Sequence, residues 1–156
     1  MVRFTAYKQE NPNATFIAKP DVGGCGTSIS LFKELRDLPY SVEGNNIVVQ
    51  RYLDDPLLLD GIKFDLRVYV VITGFNPVQA FLYDEGLARF CTARYEAPTK
   101  ANYKKAFMHL TNYSINKTNE NYIHPNADEI LVDNNGTKRT LQSLYQTLAE
   151  MGINVE

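Results

Sequence analysis

Residues 63–72 read Lys-Phe-Asp-Leu-Arg-Val-Tyr-Val-Val-Ile, a run in which charged and apolar side chains alternate. Such alternation is typical of a β-strand, because successive side chains point to opposite faces. Every second residue from Phe64 onward is apolar, and we expect this face to pack on the core. Lys63, Asp65 and Arg67 share the other face, where at about 3.3 Å per residue they line a strip on the order of 13 Å long.

The charged strip can hold a polyphosphate and a second anionic reactant side by side. Lysine suits phosphate as a point charge, and arginine suits a carboxylate or phosphate through its planar fork. The alternative is a solvated sheet face on which the lysine, aspartate and arginine pair with one another. The strand alone leaves both interpretations open.

Other strands surround this run. Short apolar or β-branched segments predict them, at residues 16–19, 29–32, 47–53, 64–73, 78–83 and 85–90. A turn over 74–77, containing Gly74 and Pro77, makes 64–73 and 78–83 an antiparallel hairpin.

Helical spacing of apolar residues predicts one helix over 140–151, with Thr140 as its N-cap. Polar loops are expected at 9–15 and 99–126, and turns at 39–46 and 133–136. Strands dominate and no regular βαβ alternation is present, so the predicted fold class is α+β.

Three further segments carry polar or glycine-rich features. Lys19 precedes the glycines of residues 23–26, where backbone N–H groups can approach phosphate oxygens, although an ordinary turn is the alternative. Arg89 lies between apolar residues after a glycine, which suits an anion-binding arginine or a rim residue with a buried stem. Thr111 and Asn112 offer short hydrogen-bonding groups that also serve turns and caps.

Composition narrows the class of protein. The chain has 156 residues, a net charge of −2 and an isoelectric point near 5.7, which argues against a general nucleic-acid binder. Its two cysteines, Cys25 and Cys91, form no disulfide framework or zinc motif and favour a reducing compartment. His109 has no partner for nucleophilic catalysis, so we expect a structural role. No apolar run approaches the roughly 20 residues of a membrane span, and we expect a cytoplasmic protein.

Four segments together resemble the tubulin tyrosine ligase-like family. They are IAKP (17–20), VVQRYLDDPLLLDGIKFDLRVYVVIT (48–73), LYDEGLARF (82–90) and HLTNYSINK (109–117), in the family's order and spacing. The resemblance covers most of residues 16–124. It implies the central portion of an ATP-grasp fold, and we expect residues 1–156 to be a partial domain truncated at both ends.

The resemblance also implies a reaction. ATP phosphorylates a carboxylate with the help of Mg²⁺, and an amino-acid amine attacks the acylphosphate to form an amide or isopeptide bond. HLTNYSINK followed by Asn-Glu-Asn-Tyr is most similar to the polyglutamylase branches. The expected partners are tubulin C-terminal tails and free glutamate, and the expected location is the microtubule cytoskeleton, cilia and basal bodies included.

Site residues follow from the resemblance position by position. Arg67 and Arg89 are similar to the catalytic pair that engages the carboxylates of substrate or acylphosphate. Residues 50–53 resemble the segment that lines the adenine pocket, partly through backbone groups, and Asp65 resembles the acidic residue beside nucleotide and metal. The implied ATP contacts are Lys19, Gln50, Arg51, Tyr52, Leu53, Lys63, Asp65, Thr111 and Asn112.

Two departures from the family pattern favour an alternative function. Cys25 stands where the family's glycine loop carries a basic residue, and Ser28 stands where its last glycine falls. The family's metal-binding Glu-x-Asn strand has no match after residue 126. The alternative is a catalytically inactive module that binds nucleotide or an acidic tail, and a third interpretation is a ligase for another acidic protein.

Overall fold

The computed structural model of the chain describes residues 2–38, 46–124 and 136–155, and its strands are all antiparallel. The elements are α1 (Val2–Glu10), β1 (Phe16–Pro20), β2 (Ser30–Phe32), a 3-10 helix (Leu35–Asp37), β3 (Ile47–Arg51), β4 (Leu58–Leu59), β5 (Ile62–Arg67), β6 (Val70–Phe75), β7 (Val78–Leu82), β8 (Leu87–Phe90), α2 (Ala106–His109), α3 (Tyr113–Asn116), β9 (Lys138–Thr140) and α4 (Leu141–Glu150). The predicted α+β class, with antiparallel strands and a late helix, is confirmed. The turns expected at 39–45 and 133–135 lie outside the described residues.

The first sheet has the strand order β2-β1-β3. One of its faces buries Phe16, Ala18 and Phe32 against α1. The ring of Phe4 lies 4.7 Å from that of Phe16, and the ring of Tyr7 lies 6.1 Å from it. This packing stabilises α1, so the loop expected from residue 9 is wrong for residues 9 and 10.

The second sheet has the order β4-β5-β8-β9 and carries α4 on one face. Its core consists of Leu59, Ala88 and Phe90 with Leu144 and Leu148 of the helix.

Two side chains cap the first turn of α4. The Thr140 hydroxyl accepts the backbone N–H of Ser143 at 3.1 Å, which confirms the predicted cap. The carboxylate of Glu85 accepts the N–H of Leu141 at 2.8 Å, where a negative charge also suits the helix dipole. The turn before β8 is therefore tied to the start of α4.

The strand predicted over 64–73 is wrong as a single element. It breaks at residues 68–69, where β5 ends in the second sheet and β6 begins a separate two-stranded sheet with β7. The expected burial of its apolar face is also wrong beyond Phe64, since Leu66 and Val68 are exposed and Val70 is 57% exposed. Apolar side chains continue beyond residue 67, but the β6–β7 hairpin is separate from the sheet that α4 covers, so these side chains stay exposed.

The polar loops expected over 99–126 contain two short helices, α2 and α3. Buried hydrogen bonds stabilise these helices, and the polar composition of the segment gives no sign of them. The amide of Asn116 donates to the carbonyl oxygens of Leu110 and Asn112 and accepts from the Thr92 hydroxyl. These bonds hold the segment together and attach it to Thr92, which follows β8 of the second sheet.

Candidate active site

The second sheet presents a charged face on the side opposite α4. We call it the cationic face and define it by Lys63, Asp65 and Arg67 of β5, Arg89 of β8 and Lys138 of β9. The register pairs Asp65 with Arg89 and Arg89 with Lys138, so these three residues form a row across neighbouring strands. The alternation predicted for the first three residues holds over β5.

Lys63 is fixed at one end of this face by two hydrogen bonds. Its Nζ donates to the Tyr52 hydroxyl at 2.9 Å and to the backbone carbonyl of His109 at 2.9 Å. The Nε2 of His109 lies 3.2 Å from the carbonyl of Asn102, which can only accept, so Nε2 carries the proton. Nδ1 therefore accepts from the Tyr52 hydroxyl at 3.0 Å. The chain of donors runs from Lys63 through Tyr52 to His109.

Burial shapes the electrostatics of this network. It lowers the pKa of Lys63, which the nearby charge of Lys19 lowers further. Burial and the charge of Lys63 lower the pKa of His109, and burial raises the pKa of Tyr52. The Lys63 ammonium also lies 4.5 Å from the centre of the Tyr52 ring. The histidine and tyrosine are therefore held in their neutral forms around one cation.

Asp65 and Arg89 form a bidentate ion pair. The Arg89 Nε lies 2.9 Å from Oδ1 and its Nη2 lies 2.6 Å from Oδ2. The hydrogen bonds that Arg89 donates to the Asp65 carboxylate raise the pKa of Arg89. Arg67 lies on the same face but is exposed, with its guanidinium 5.6 Å from the ring of Tyr69. The structure thus places both predicted arginines on one face, with Arg89 engaged by a carboxylate; their catalytic roles stay predictions.

Lys19 and Gln50 belong to the first sheet and lie on the face opposite α1. The Lys19 ammonium donates to the Gln50 side chain at 2.8 Å. Arg51 points the other way, 3.5 Å from the Tyr7 hydroxyl beside α1. Leu53 is 75% exposed. Of the predicted adenine segment, the side chains of Gln50 and Tyr52 are therefore brought to the site, and Arg51 can serve it only through its backbone.

The glycine-rich loop packs against the start of α3. A Cβ added to Gly26 would lie 2.6 Å from the Ile115 Cδ1 and 2.9 Å from the Asn112 Cγ, and the φ of 83° also favours glycine there. The Ser114 hydroxyl donates to the carbonyl of Cys25 at 2.6 Å. The loop is thereby brought beside Asn112, and the buried Thr111 precedes that residue.

The loop keeps a glycine-like backbone at its two unusual positions. Cys25 has a φ of 63° and Ser28 a φ of 59°, both in the left-handed region that favours glycine. A hollow of about 150 Å³ lies between the loop and Lys19. Backbone groups and one lysine therefore surround a space suited to an anion.

The structural role expected for His109 is consistent with its place in the site, where its buried ring contacts Tyr52 and its carbonyl accepts from Lys63. Sequence reasoning missed one part of this site. Lys138 was not singled out, because β9 is only three residues long and gives no pattern of its own. Its pairing with Arg89 becomes visible only in the sheet register.

The part of the chain that the structure describes contains neither a metal-binding cluster nor a membrane-spanning helix. Within residues 2–38, 46–124 and 136–155, no three His, Cys, Asp or Glu side chains cluster in a way that could hold a metal ion. Asp65, the acidic member of the cationic face, is bound to Arg89. The same residues include no helix with the length and apolar character needed to cross a bilayer.

The antiparallel α+β architecture, the glycine loop and the lysine-rich site are those of part of an ATP-grasp ligase domain. The chain belongs to the Tubulin-tyrosine ligase family, which it matches over residues 2–156. Ligases of this family use ATP. The family resemblance is therefore confirmed.

Relatives with the name tubulin polyglutamylase match almost the whole chain. Tubulin polyglutamylase ttll6 of Danio rerio is 40% identical over 153 residues, which is 98% of this chain and 18% of the relative. Tubulin polyglutamylase TTLL13 of Homo sapiens is 41% identical over 97% of the chain and 17% of the relative. A probable beta-tubulin polyglutamylase of Tetrahymena thermophila is 43% identical over 95% of the chain and 12% of the relative. The chain thus spans under a fifth of the length of these proteins.

Proposed function

We propose that the protein containing this chain is an ATP-dependent ligase that adds glutamate to glutamate side chains of tubulin C-terminal tails. The observation that carries the proposal is the cationic face, which begins at the anchored Lys63 and continues to Arg67 and Arg89. All three reactants are anionic, so a row of fixed cations is what the chemistry requires. The named relatives supply the substrate class.

The reaction has two steps. An acceptor carboxylate oxygen attacks the terminal phosphorus of ATP; the new P–O bond forms as the bond to the bridging oxygen breaks, and ADP leaves. The amine of glutamate then attacks the acyl carbon, phosphate departs with the C–O electron pair, and the amine loses a proton. The product is an isopeptide bond, ADP and phosphate.

The residues divide this work by their position. Lys19, Lys63 and the loop of residues 23–26 lie at the end suited to phosphates, where fixed positive charge favours phosphoryl transfer. Arg67 and Arg89 lie further along β5 and β8, where they can hold carboxylates in line with the phosphorus. Such positioning supplies a large part of the barrier reduction in reactions of this kind.

Magnesium and location complete the proposal. Mg²⁺ enters as the counter-ion of ATP in solution. With acidic tubulin tails as its substrates, the proposed ligase acts in the cytoplasm on microtubules, including those of cilia and basal bodies.

The experiment is glutamate incorporation into microtubules by the complete gene product with Mg-ATP, in parallel with ATP binding. Lys63→Ala should weaken ATP binding. Arg89→Ala should abolish ligation while ATP binding is largely retained. Unchanged ATP affinity in Lys63→Ala, or equal loss of binding and ligation in Arg89→Ala, would contradict the division of labour.

The second candidate function is a non-catalytic module that binds nucleotide or an acidic tail. It is favoured by Cys25, which replaces the basic residue expected in the glycine loop. ATP binding with no incorporation of glutamate by the complete gene product would support it over the ligase.

A further inference from the structure

We propose that Lys138 is a substrate-binding residue that contacts a carboxylate of a glutamyl group during ligation. This inference rests on the proposed function and deepens it, since it adds a third cation to the carboxylate-binding end of the cationic face.

The sheet register places Lys138 on that face. Lys138 pairs with Arg89, and Arg89 pairs with Asp65, so the three side chains project from the same side of β9, β8 and β5. The next residue, Arg139, projects to the opposite side, where its guanidinium lies 4.2 Å from the ring of Phe90. A one-residue change in register would exchange the two.

The charge balance of the face leaves Lys138 available to an anion. Both carboxylate oxygens of Asp65 accept hydrogen bonds from Arg89, one from Nε and one from Nη2. Neither Lys138 nor Arg67 has a carboxylate within ion-pair distance in the part of the chain that the structure describes. Among the described residues, a neutralised pair is therefore flanked by two cations without a carboxylate partner, and free glutamate carries two carboxylates.

An aromatic ring holds Lys138 without neutralising it. Its ammonium lies 4.9 Å from the centre of the Tyr113 ring, at the start of α3. The same segment supplies Asn112 and the carbonyl of His109 to the phosphate-binding end. Lys138 is half-buried, so part of its side chain remains open to a ligand.

The spacing of these two cations suits a dicarboxylic ligand. Arg67 pairs with Leu87, the second residue before Arg89. Lys138 and Arg67 are therefore two strands and one two-residue step apart, on the order of 12 Å between Cα atoms. Two long side chains extending inward from these positions can reach the two ends of one glutamate.

The test is steady-state kinetics of the complete gene product with Lys138→Met and Lys138→Arg. Free glutamate is varied at saturating microtubules and ATP, and tubulin is varied at saturating glutamate. We expect Lys138→Met to raise one of these two KM values about tenfold, as for loss of a charge-assisted hydrogen bond. The KM for ATP and the thermal unfolding midpoint should not change, and Lys138→Arg should restore most of the loss.

The KM value that rises identifies which reactant supplies the carboxylate. A raised KM for free glutamate assigns Lys138 to the incoming amino acid, and a raised KM for tubulin assigns it to the acceptor. Lys117→Met is the matched control, because Lys117 also lies over Tyr113, at 5.4 Å, but it is the C-cap residue after α3 and does not belong to the sheet.

Three outcomes would overturn the inference. Unchanged KM values for both glutamate and tubulin would do so, as would an equal rise in the KM for ATP or an equal effect of Lys117→Met. A wild-type protein that incorporates no glutamate would instead overturn the proposed function, and this inference with it.

Discussion

The hydroxyl of Tyr52 accepts a hydrogen bond from the ammonium of Lys63 at 2.9 Å. Tyr52 is 3% exposed and its hydroxyl hydrogen is given to His109. A buried aromatic side chain thus fixes the position of the cation that we assign to phosphate.

Replacing Tyr52 with phenylalanine should therefore weaken ATP binding with little change in packing. The lost hydrogen bond is worth about 1 kcal/mol, which corresponds to roughly a fivefold rise in Kd for ATP. Isothermal titration calorimetry of the complete gene product measures this directly. Tyr145→Phe, on the exposed side of α4, is the control and should bind ATP like the wild type. Equal affinity of the Tyr52→Phe and wild-type proteins would refute the positioning role.

His109 should make the stability of the fold depend on pH. Its pKa is lowered by burial and by Lys63, so the folded state favours the neutral ring. The stabilisation is fully present above the unfolded-state pKa of about 6.5 and is lost as pH falls toward the folded-state value. The wild-type unfolding midpoint should therefore fall more steeply between about pH 7.5 and pH 5 than that of His109→Gln.

The control for this comparison is His124→Gln, because the side chain of His124 is exposed. It should retain the pH dependence of the wild type. A decline in His109→Gln as steep as in the wild type would show that neutral His109 does not set this dependence.

Two glycines should respond differently to alanine. A Cβ on Gly86 would collide with the backbone carbonyl of Arg67, whereas one on Gly24 meets nothing within 4 Å. Gly86→Ala should lower the free energy of unfolding by about 1–3 kcal/mol, as in other overpacked sites, because backbone cannot easily move aside. Gly24→Ala should change it by no more than about 0.5 kcal/mol. Urea denaturation measures both, and similar values for the two variants would contradict the close approach of Gly86 to β5.

The two cysteines should differ in reactivity. Burial raises the pKa of Cys91 to about 12, whereas Cys25 is exposed in the glycine loop. Treatment of the folded protein with N-ethylmaleimide should label Cys25 first and leave Cys91 unmodified, as read by peptide mass spectrometry. ATP should slow the labelling of Cys25 if the loop holds phosphates. Labelling of Cys91 before Cys25 would contradict the burial, and labelling of Cys25 that ATP leaves unchanged would count against nucleotide binding at the loop.

Local signals were sufficient for part of the fold. β1, β2, β7 and α4 were predictable because β-branched runs, helical spacing and the Thr140 cap are encoded within a few residues. The helix α1 was not, since aromatic contacts with Phe16 stabilise it. The break at residues 68–69 was hidden because side-chain alternation is the same on both sides of a change of sheet.

The site shows the same limit. The residues on β5 were predictable because one strand carries them at alternate positions. The pairing of Asp65 with Arg89 and the position of Lys138 depend on which strands become neighbours, and no short segment encodes that. The contact between the His109 carbonyl and Lys63 also depends on packing between segments that are distant along the chain.

The strands β5 and β8 are neighbours, although the β6–β7 hairpin separates them along the chain. The chain leaves the sheet after Arg67 and returns opposite it at Leu87. The hairpin therefore leaves the second sheet and rejoins it at the same point. Its length and sequence can vary while the cationic face stays the same. We expect that a shorter loop or an affinity tag can replace residues 70–82 while β5 and β8 stay paired.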